Sequence, residues 1–286
     1  MQNPLAELQE YENLLEALKK GQGPIQATGT LDSQKVHLMY ELKEDASYPW
    51  SLVVTYDDTR AKEIYEDFRN FTDRVWLYPA RDLLFYSADI HGNLLTRQRI
   101  SVLKSILTEP GGVVVTTVDA LMDHLLPLSA FKSQVVSIQA GQTLDLEALK
   151  TQLTAMGYER TAQVDGMGQF SIRGGILDIF PLTEETPVRV ELWDDEVDSI
   201  RSFDVESQRS VEELDQVALY PAAEVILPPD RLKEGLRAIE EEEKIYEASL
   251  RGQHKSEAAH RILMSVQEFV EGVREGWRIG GLDSYI

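Results

Sequence analysis

The sequence predicts an α/β protein in which a parallel-sheet domain receives an inserted, smaller α+β domain. Three observations predict it. Over residues 1–127, short apolar runs alternate with stretches of helical periodicity, the signature of a parallel sheet covered on both faces. Over residues 128–220 the helical signal gives way to short alternating strands separated by Gly, Pro and acidic turns. From residue 221 to residue 286 helical periodicity returns.

Residues 3–20 repeat leucine at helical spacing (Leu5, Leu8, Leu14, Leu15, Leu18), and Gly21 and Gly23 stop the helix. Residues 24–28 read as a short strand, followed by a glycine turn and a helix over 33–42. A buried-type strand at 51–56 precedes a helix at 59–71. The strand at 75–78 ends at Pro79, a helix spans 94–107, and Gly-Val-Val-Val-Thr-Thr at 112–117 is a second buried strand. A short helix over 118–126 closes at Pro127. This βα order is that of a helicase-type nucleotide-binding domain.

Past Pro127, residues 133–140 alternate. Residues 145–156 form a helix, with Thr143 as candidate N-cap. Residues 169–173 alternate, Gly174-Gly175 marks a bulge or tight bend, and residues 176–180 are apolar apart from Asp178, with Pro181 ending them. Residues 188–193 put Val188, Val190 and Leu192 on one face and Arg189, Glu191 and Trp193 on the other. That is an antiparallel sheet with one dry and one wet face. Alternation alone reads the wet face as an ordinary solvated surface, with Trp193 capping the core edge; a binding face is the alternative, since Arg and Trp dominate protein–protein hot spots. Residues 230–274 make two helices broken near Arg251-Gly252, with the acidic run 240–243 on a solvated face.

Composition narrows the function classes. The chain has 286 residues, no cysteine, and 28 Lys plus Arg against 49 Asp plus Glu, a net charge of −21. Without cysteine, disulfides and thiolate metal sites are excluded, which fits a reducing cytoplasm. The negative balance opposes independent duplex binding, which needs clustered cations, and favours a protein partner. No apolar run spans a bilayer and no signal-type N-terminus is visible, so no membrane partner is expected. Five histidines are scattered without metal-ligand spacing, the acidic turn at 194–196 reads as a solvated hairpin loop, and no nucleophile–base arrangement appears.

Thr28-Gly29-Thr30-Leu31-Asp32-Ser33-Gln34-Lys35-Val36 occupies the strand-to-helix position of a phosphate loop. Counting from Gly29, Lys35 holds the lysine position, but Gln34 stands where glycine is needed and Val36 where a magnesium-binding hydroxyl is needed. In the other register Asp32 would repel phosphate. Neither register works, so on its chemistry the segment reads as a simple strand–turn–helix connection, with no catalytic residue, cofactor or metal expected.

The blocks Gly-Gln-Phe-Ser-Ile-Arg-Gly-Gly-Ile-Leu-Asp-Ile-Phe-Pro at 168–181 and Val-Arg-Val-Glu-Leu-Trp-Asp-Asp-Glu-Val-Asp-Ser-Ile-Arg at 188–201 closely resemble the second domain shared by two bacterial families. These are the excision-repair protein UvrB and the transcription-repair coupling factor. The resemblance runs from about residue 14 to 285 and is densest over 168–208. It aligns Thr28-Gly29 with the UvrB phosphate loop, and Gly280 to Tyr285 with the segment that follows the equivalent UvrB helices. Residues 79–95 lack the tyrosine-rich hairpin with which UvrB clamps DNA, and Pro-Ala-Arg-Asp-Leu-Leu-Phe-Tyr resembles the shortened segment of the coupling factor.

The resemblance implies three regions: 1–127 as a degenerate nucleotide-binding domain, 128–220 as an inserted UvrA-binding domain, and 221–286 as a helical return to the first. It implies that UvrA is the partner, met by Arg173, Arg189 and Trp193 with Glu191 beside them. RNA polymerase and DNA would be reached through other domains of a longer, ATP-driven protein. In such an interface, two guanidinium forks take partner carboxylates and an indole supplies the desolvated anchor. The alternative is a UvrB-type ATPase subunit.

Overall fold

A computed structural model describes residues 3–80, 90–123, 125, 127–224, 229–253 and 255–274. Contacts divide these residues into two compact units. The first comprises 3–80, 90–123 and 182–185; the second takes the rest, so the C-terminal helices group with the strand-rich block.

In the first unit, a 3-10 turn (Pro4–Glu7) leads into α1 (Gln9–Lys19). There follow α2 (Asp32–Asp45), β1 (Trp50–Thr55), α3 (Asp58–Phe68), β2 (Val75–Tyr78), α4 (Ile90–Thr108), β3 (Gly112–Thr117) and α5 (Val118–Leu121). The strands form a parallel sheet in the order β1-β3-β2. As the middle strand, β3 is buried along its whole length, which its Gly-Val-Val-Val-Thr-Thr run anticipates. Its side chains serve two cores. Val113 and Val115 pack with Val36, Ala61, Ile64, Phe68 and Val75, joining α2 and α3 to one face. Val114 packs on the other face with Tyr78, Val102 and Ala120, flanked by Trp50 and Trp76. Asp57 caps α3 by accepting the Arg60 amide at 2.7 Å.

The expected strand at 24–28 does not form. Every residue from Pro24 to Thr28 is exposed; Pro24 has no N–H to donate and Ile25 is the one large apolar side chain, so no buried pairing offsets the cost of ordering it.

In the second unit, α6 (Leu128–Ser133) was not signalled by periodicity; six residues are too few to show it. β4 (Val136–Gln139), α7 (Leu146–Ala155) and β5 (Glu159–Arg160) follow. Then come β6 (Gln169–Arg173), β7 (Ile176–Ile179), β8 (Val188–Trp193), β9 (Glu196–Phe203), β10 (Ser210–Leu214) and β11 (Gln216–Leu219). The N-cap of α7 is Asp145, whose carboxylate accepts the Glu147 and Ala148 amides at 2.9 and 3.0 Å. Thr143 instead forms an isolated bridge to Glu196. β5 to β10 make one six-stranded sheet, antiparallel except for the β5–β6 pair, and β4 with β11 makes a two-stranded one. The dry face expected of β8 is present: Val188 and Val190 are buried in rows with Leu177, Ile179, Phe170 and Ile200. The helical hairpin consists of α8 (Pro229–Gly252) and α9 (Ser256–Arg274), broken where the sequence placed the break.

Among the described residues, no helix is long and apolar enough to cross a membrane. Residues 81–89, which hold most of the shortened segment at 79–95, and the tail at 280–285 lie outside the described residues.

At the entry to β3, a side chain on Gly111 would overlap the Pro49 carbonyl oxygen, and one on Gly112 would meet the Trp76 ring and the Arg74 carbonyl. Gly111→Ala is therefore expected to destabilise the first unit by about 1–3 kcal/mol, an overpacking cost. Urea unfolding followed through the fluorescence of the Trp50–Trp76 pair measures it. Gly252→Ala, with open space around the new carbon, should be neutral or stabilising by up to about 1 kcal/mol.

Candidate functional site

The wet face of the six-stranded sheet is built around a carboxylate. Asp178, on β7, is 1% exposed and lies directly opposite Arg189 on β8. Arg189 meets it with a two-pronged fork: Nε donates to Oδ1 at 2.6 Å and Nη2 to Oδ2 at 2.9 Å. Arg173, at the end of β6, donates from Nη2 to the same Oδ2 at 2.8 Å. One buried anion thus holds two cations.

The cross-strand row explains the need for it. Asp178, Arg189 and Arg201 stand side by side on β7, β8 and β9, and Glu213 on β10 faces Arg201. Like charges directly opposite one another repel, so the Arg189–Arg201 step is tolerable with a carboxylate at each end of the row. Arg189 is enclosed further. Its guanidinium lies 4.8 Å from the centre of the Phe203 ring and donates from Nη1 to the Gln208 carbonyl at 3.4 Å. The Asp178 carboxylate holds its pKa above the ordinary arginine value, against the opposing effect of burial.

Gln208 sits at a positive φ of 58° and is pinned by its side-chain amide, which donates to the carbonyls of Val164 and Val205 at 3.2 and 2.8 Å. The turn before it is closed by Asp204, which accepts from the Ser207 hydroxyl at 2.7 Å and the Ser207 amide at 2.8 Å. Those bonds, hydroxyl first, hold the Asp204 carboxyl below the usual carboxylate range.

One residue row further along, Arg173, Ile176, Glu191 and Ser199 stand abreast. Here the surface opens. Arg173 is 54% exposed at its side chain against 16% for Arg189, Ile176 is exposed, and Trp193 at the end of β8 is 82% exposed. Glu191 is half-buried and accepts from the Ser199 hydroxyl at 3.2 Å. Gly174 and Gly175 form the two-residue turn of the β6–β7 hairpin. Gly174 takes φ +60°, and a side chain on Gly175 would press on the Leu192 carbonyl. Asp194 and Asp195 are the exposed loop of the next hairpin.

The structure thus brings Arg173, Arg189, Glu191 and Trp193 onto one sheet, but it corrects the expectation of two free guanidinium forks. The fork of Arg189 is spent on Asp178, its strand neighbour; Arg173 and Trp193 project. Sequence reasoning missed Asp178, Ile176 and Gln208. A lone aspartate inside an apolar strand was the available signal for Asp178, since a buried charge needs a partner.

The loop before α2 has its own geometry. Gly29 takes φ +84° at the turn. Lys35 Nζ lies 2.9 Å and Arg60 Nη2 3.2 Å from Asp32 Oδ1, and these cations, the Lys35 hydrogen bond foremost, lower the Asp32 pKa. The Gln34 side-chain oxygen accepts the Leu31 amide at 3.1 Å, and Val36 is buried in the core of α2 and α3. His37 stacks on Phe71. Among the described residues no three His, Asp or Glu side chains gather to hold a metal ion.

Residues 136–224 match the family model described as the UvrB interaction domain. The chain is 33% identical over 253 residues to the transcription-repair-coupling factor of Bacillus subtilis (strain 168), covering 88% of this chain and 21% of that protein. It is 34% identical over 227 residues to that of Staphylococcus epidermidis (strain ATCC 12228 / FDA PCI 1200), covering 79% and 19%. With that of Staphylococcus aureus (strain MRSA252) it shares 32% identity over 222 residues, covering 76% and 19%. The chain spans about a fifth of the length of the curated relatives it matches, and it resembles their N-terminal region.

The Asp204 carboxylate stabilises its turn at pH values above the ordinary carboxylate pKa, and that contribution is lost as pH falls through its depressed folded-state value. An NMR titration should give Asp204 a midpoint below the ordinary one, and Ser207→Ala should move it upward. An unchanged midpoint in the variant would contradict the hydrogen-bond assignment.

Proposed function

We propose, for a chain that carries a UvrB interaction domain and resembles the N-terminal region of transcription-repair-coupling factors, that it is a docking module recruiting UvrA for transcription-coupled nucleotide excision repair. Its docking face is the open rim of the six-stranded sheet. The observation that carries the reading is the pairing of an 82% exposed indole at Trp193 with Arg173, whose guanidinium is fixed by a buried carboxylate. A large apolar side chain standing free in water is ready to be desolvated in a socket, and a fixed guanidinium on the same sheet takes a carboxylate without first losing its freedom. Glu191 flanks them on the same face, and Arg189 supports from within.

The loop at Gly29 to Val36 supports a module without a working ATP site. Lys35 is turned onto Asp32, Gln34 occupies the Leu31 amide, and Val36 offers no hydroxyl for magnesium. The proposed organisation is a degenerate nucleotide-binding domain over 1–127, the UvrA-binding domain over 128–220, and a helical region over 221–286. Contact with stalled RNA polymerase and with DNA, and the ATP-driven motor, are assigned to other domains of a longer protein.

Trp193→Ala and Arg173→Ala are each expected to cost about 2–4 kcal/mol of UvrA affinity, a roughly 30- to 1,000-fold weakening, with the melting temperature unchanged in Trp193→Ala. Calorimetric titration with UvrA measures both, and wild-type affinity in the two variants would refute the face. The competing reading, a UvrB-type ATPase subunit, requires nucleotide binding. Mg-ATP at a hundred times its Kd would add about 2.7 kcal/mol of stability, and no thermal shift is expected.

A further inference from the structure

We propose that Asp178 is the positioning residue of the docking face: from inside the sheet it holds the Arg173 guanidinium in its binding orientation, and Arg189 serves by holding the Asp178 carboxylate in place with its two-pronged fork. The inference rests on the docking reading above. The two arginines then have different work, although both lie on the wet face and both touch the same carboxylate.

The geometry separates them. Arg189 uses both prongs on Asp178, lies against Phe203 and spends a third donor on Gln208. Its side chain is largely covered, so a partner has little of it to grip. Arg173 gives one donor to Asp178 Oδ2, and a guanidinium carries five N–H donors. More than half of its side chain stays exposed. It ends β6, opposite the exposed Ile176, which has no polar group to bind it, and before a Gly-Gly turn without side chains. The contact that fixes it is therefore electrostatic. Asp178 can supply it because Arg189 cancels most of the cost of burying the carboxylate. An arginine already held in one orientation loses less rotamer freedom on meeting a carboxylate than a free one does.

A thermodynamic cycle on the whole chain, titrated with UvrA by calorimetry, tests this. Asp178→Asn keeps the shape of the side chain and removes the charge. It is expected to weaken binding about tenfold in the wild-type background and less than about threefold in the Arg173→Ala background, because a positioning residue has nothing to position once the arginine is gone. In a Trp193→Phe background the about tenfold effect should persist, since that ring does not touch Asp178. A purely structural role predicts the same loss in all three backgrounds, and that result, or no loss at all, overturns the proposal. If Asp178→Asn fails to fold, Asp178→Glu, which keeps the charge but displaces it by one methylene, should give the same dependence on Arg173; equal losses across the backgrounds would again overturn it. If Arg173→Ala and Trp193→Ala themselves leave UvrA affinity unchanged, the docking reading fails, a pattern distinct from failure of the Asp178 role alone.

Discussion

The wet face of the six-stranded sheet is organised by a buried carboxylate. Asp178 interrupts an otherwise apolar strand, and a charge there is tolerated because two guanidinium groups converge on it. Removing one partner from a buried pair of this kind typically costs about 3–5 kcal/mol, because the remaining charge is left in a low-dielectric setting. The pair also relieves the Arg189–Arg201 juxtaposition across β8 and β9 and ties the turn at Gln208 to the sheet. From the packed Phe203 end to the open Trp193 end, the wet face grades from structural to accessible. That gradient gives one side of one sheet both a packed support and an exposed rim.

The first unit shows the converse arrangement, in which charges that could meet a ligand meet one another. Asp32 begins α2, where a carboxylate is favoured by the unpaired amides of the first turn, and it draws Lys35 and Arg60 onto itself. The parallel sheet beneath is sound: β3 is buried throughout and packs on both faces. The scaffold is held by its core, which is independent of whether the loop above it takes a phosphate. A fold can therefore persist while the chemistry at the ends of its strands changes.

Much of the fold was legible because two periodicities are hard to mistake. The 2.0 period of 188–193 and the continuous apolar run of 112–117 told a half-buried antiparallel strand from a fully buried parallel one. The segment at 24–28 misled because one isoleucine and a preceding proline resemble a strand locally, whereas strand formation depends on a neighbour with which to pair. Asp145 won the N-cap of α7 over Thr143 because it lies immediately before the first helical residue. In the site, the residue types were readable and their partnership was not. Arg173, Arg189 and Trp193 stood out by chemistry, but the bond from Arg189 to Asp178 crosses strands, and cross-strand register is invisible to a single sequence. Ile176 went unremarked because an isoleucine in a strand reads as core, although its position beside the glycine turn leaves it exposed.

The central claim is that Trp193 stands free in the isolated module and is covered when UvrA docks. Hydroxyl-radical footprinting measures this at single residues. Trp193 should oxidise rapidly in the free protein and several-fold more slowly in the UvrA complex, while Tyr56 and Tyr246, exposed elsewhere on the chain, keep their rates. An undiminished Trp193 rate in a fully formed complex would contradict the account.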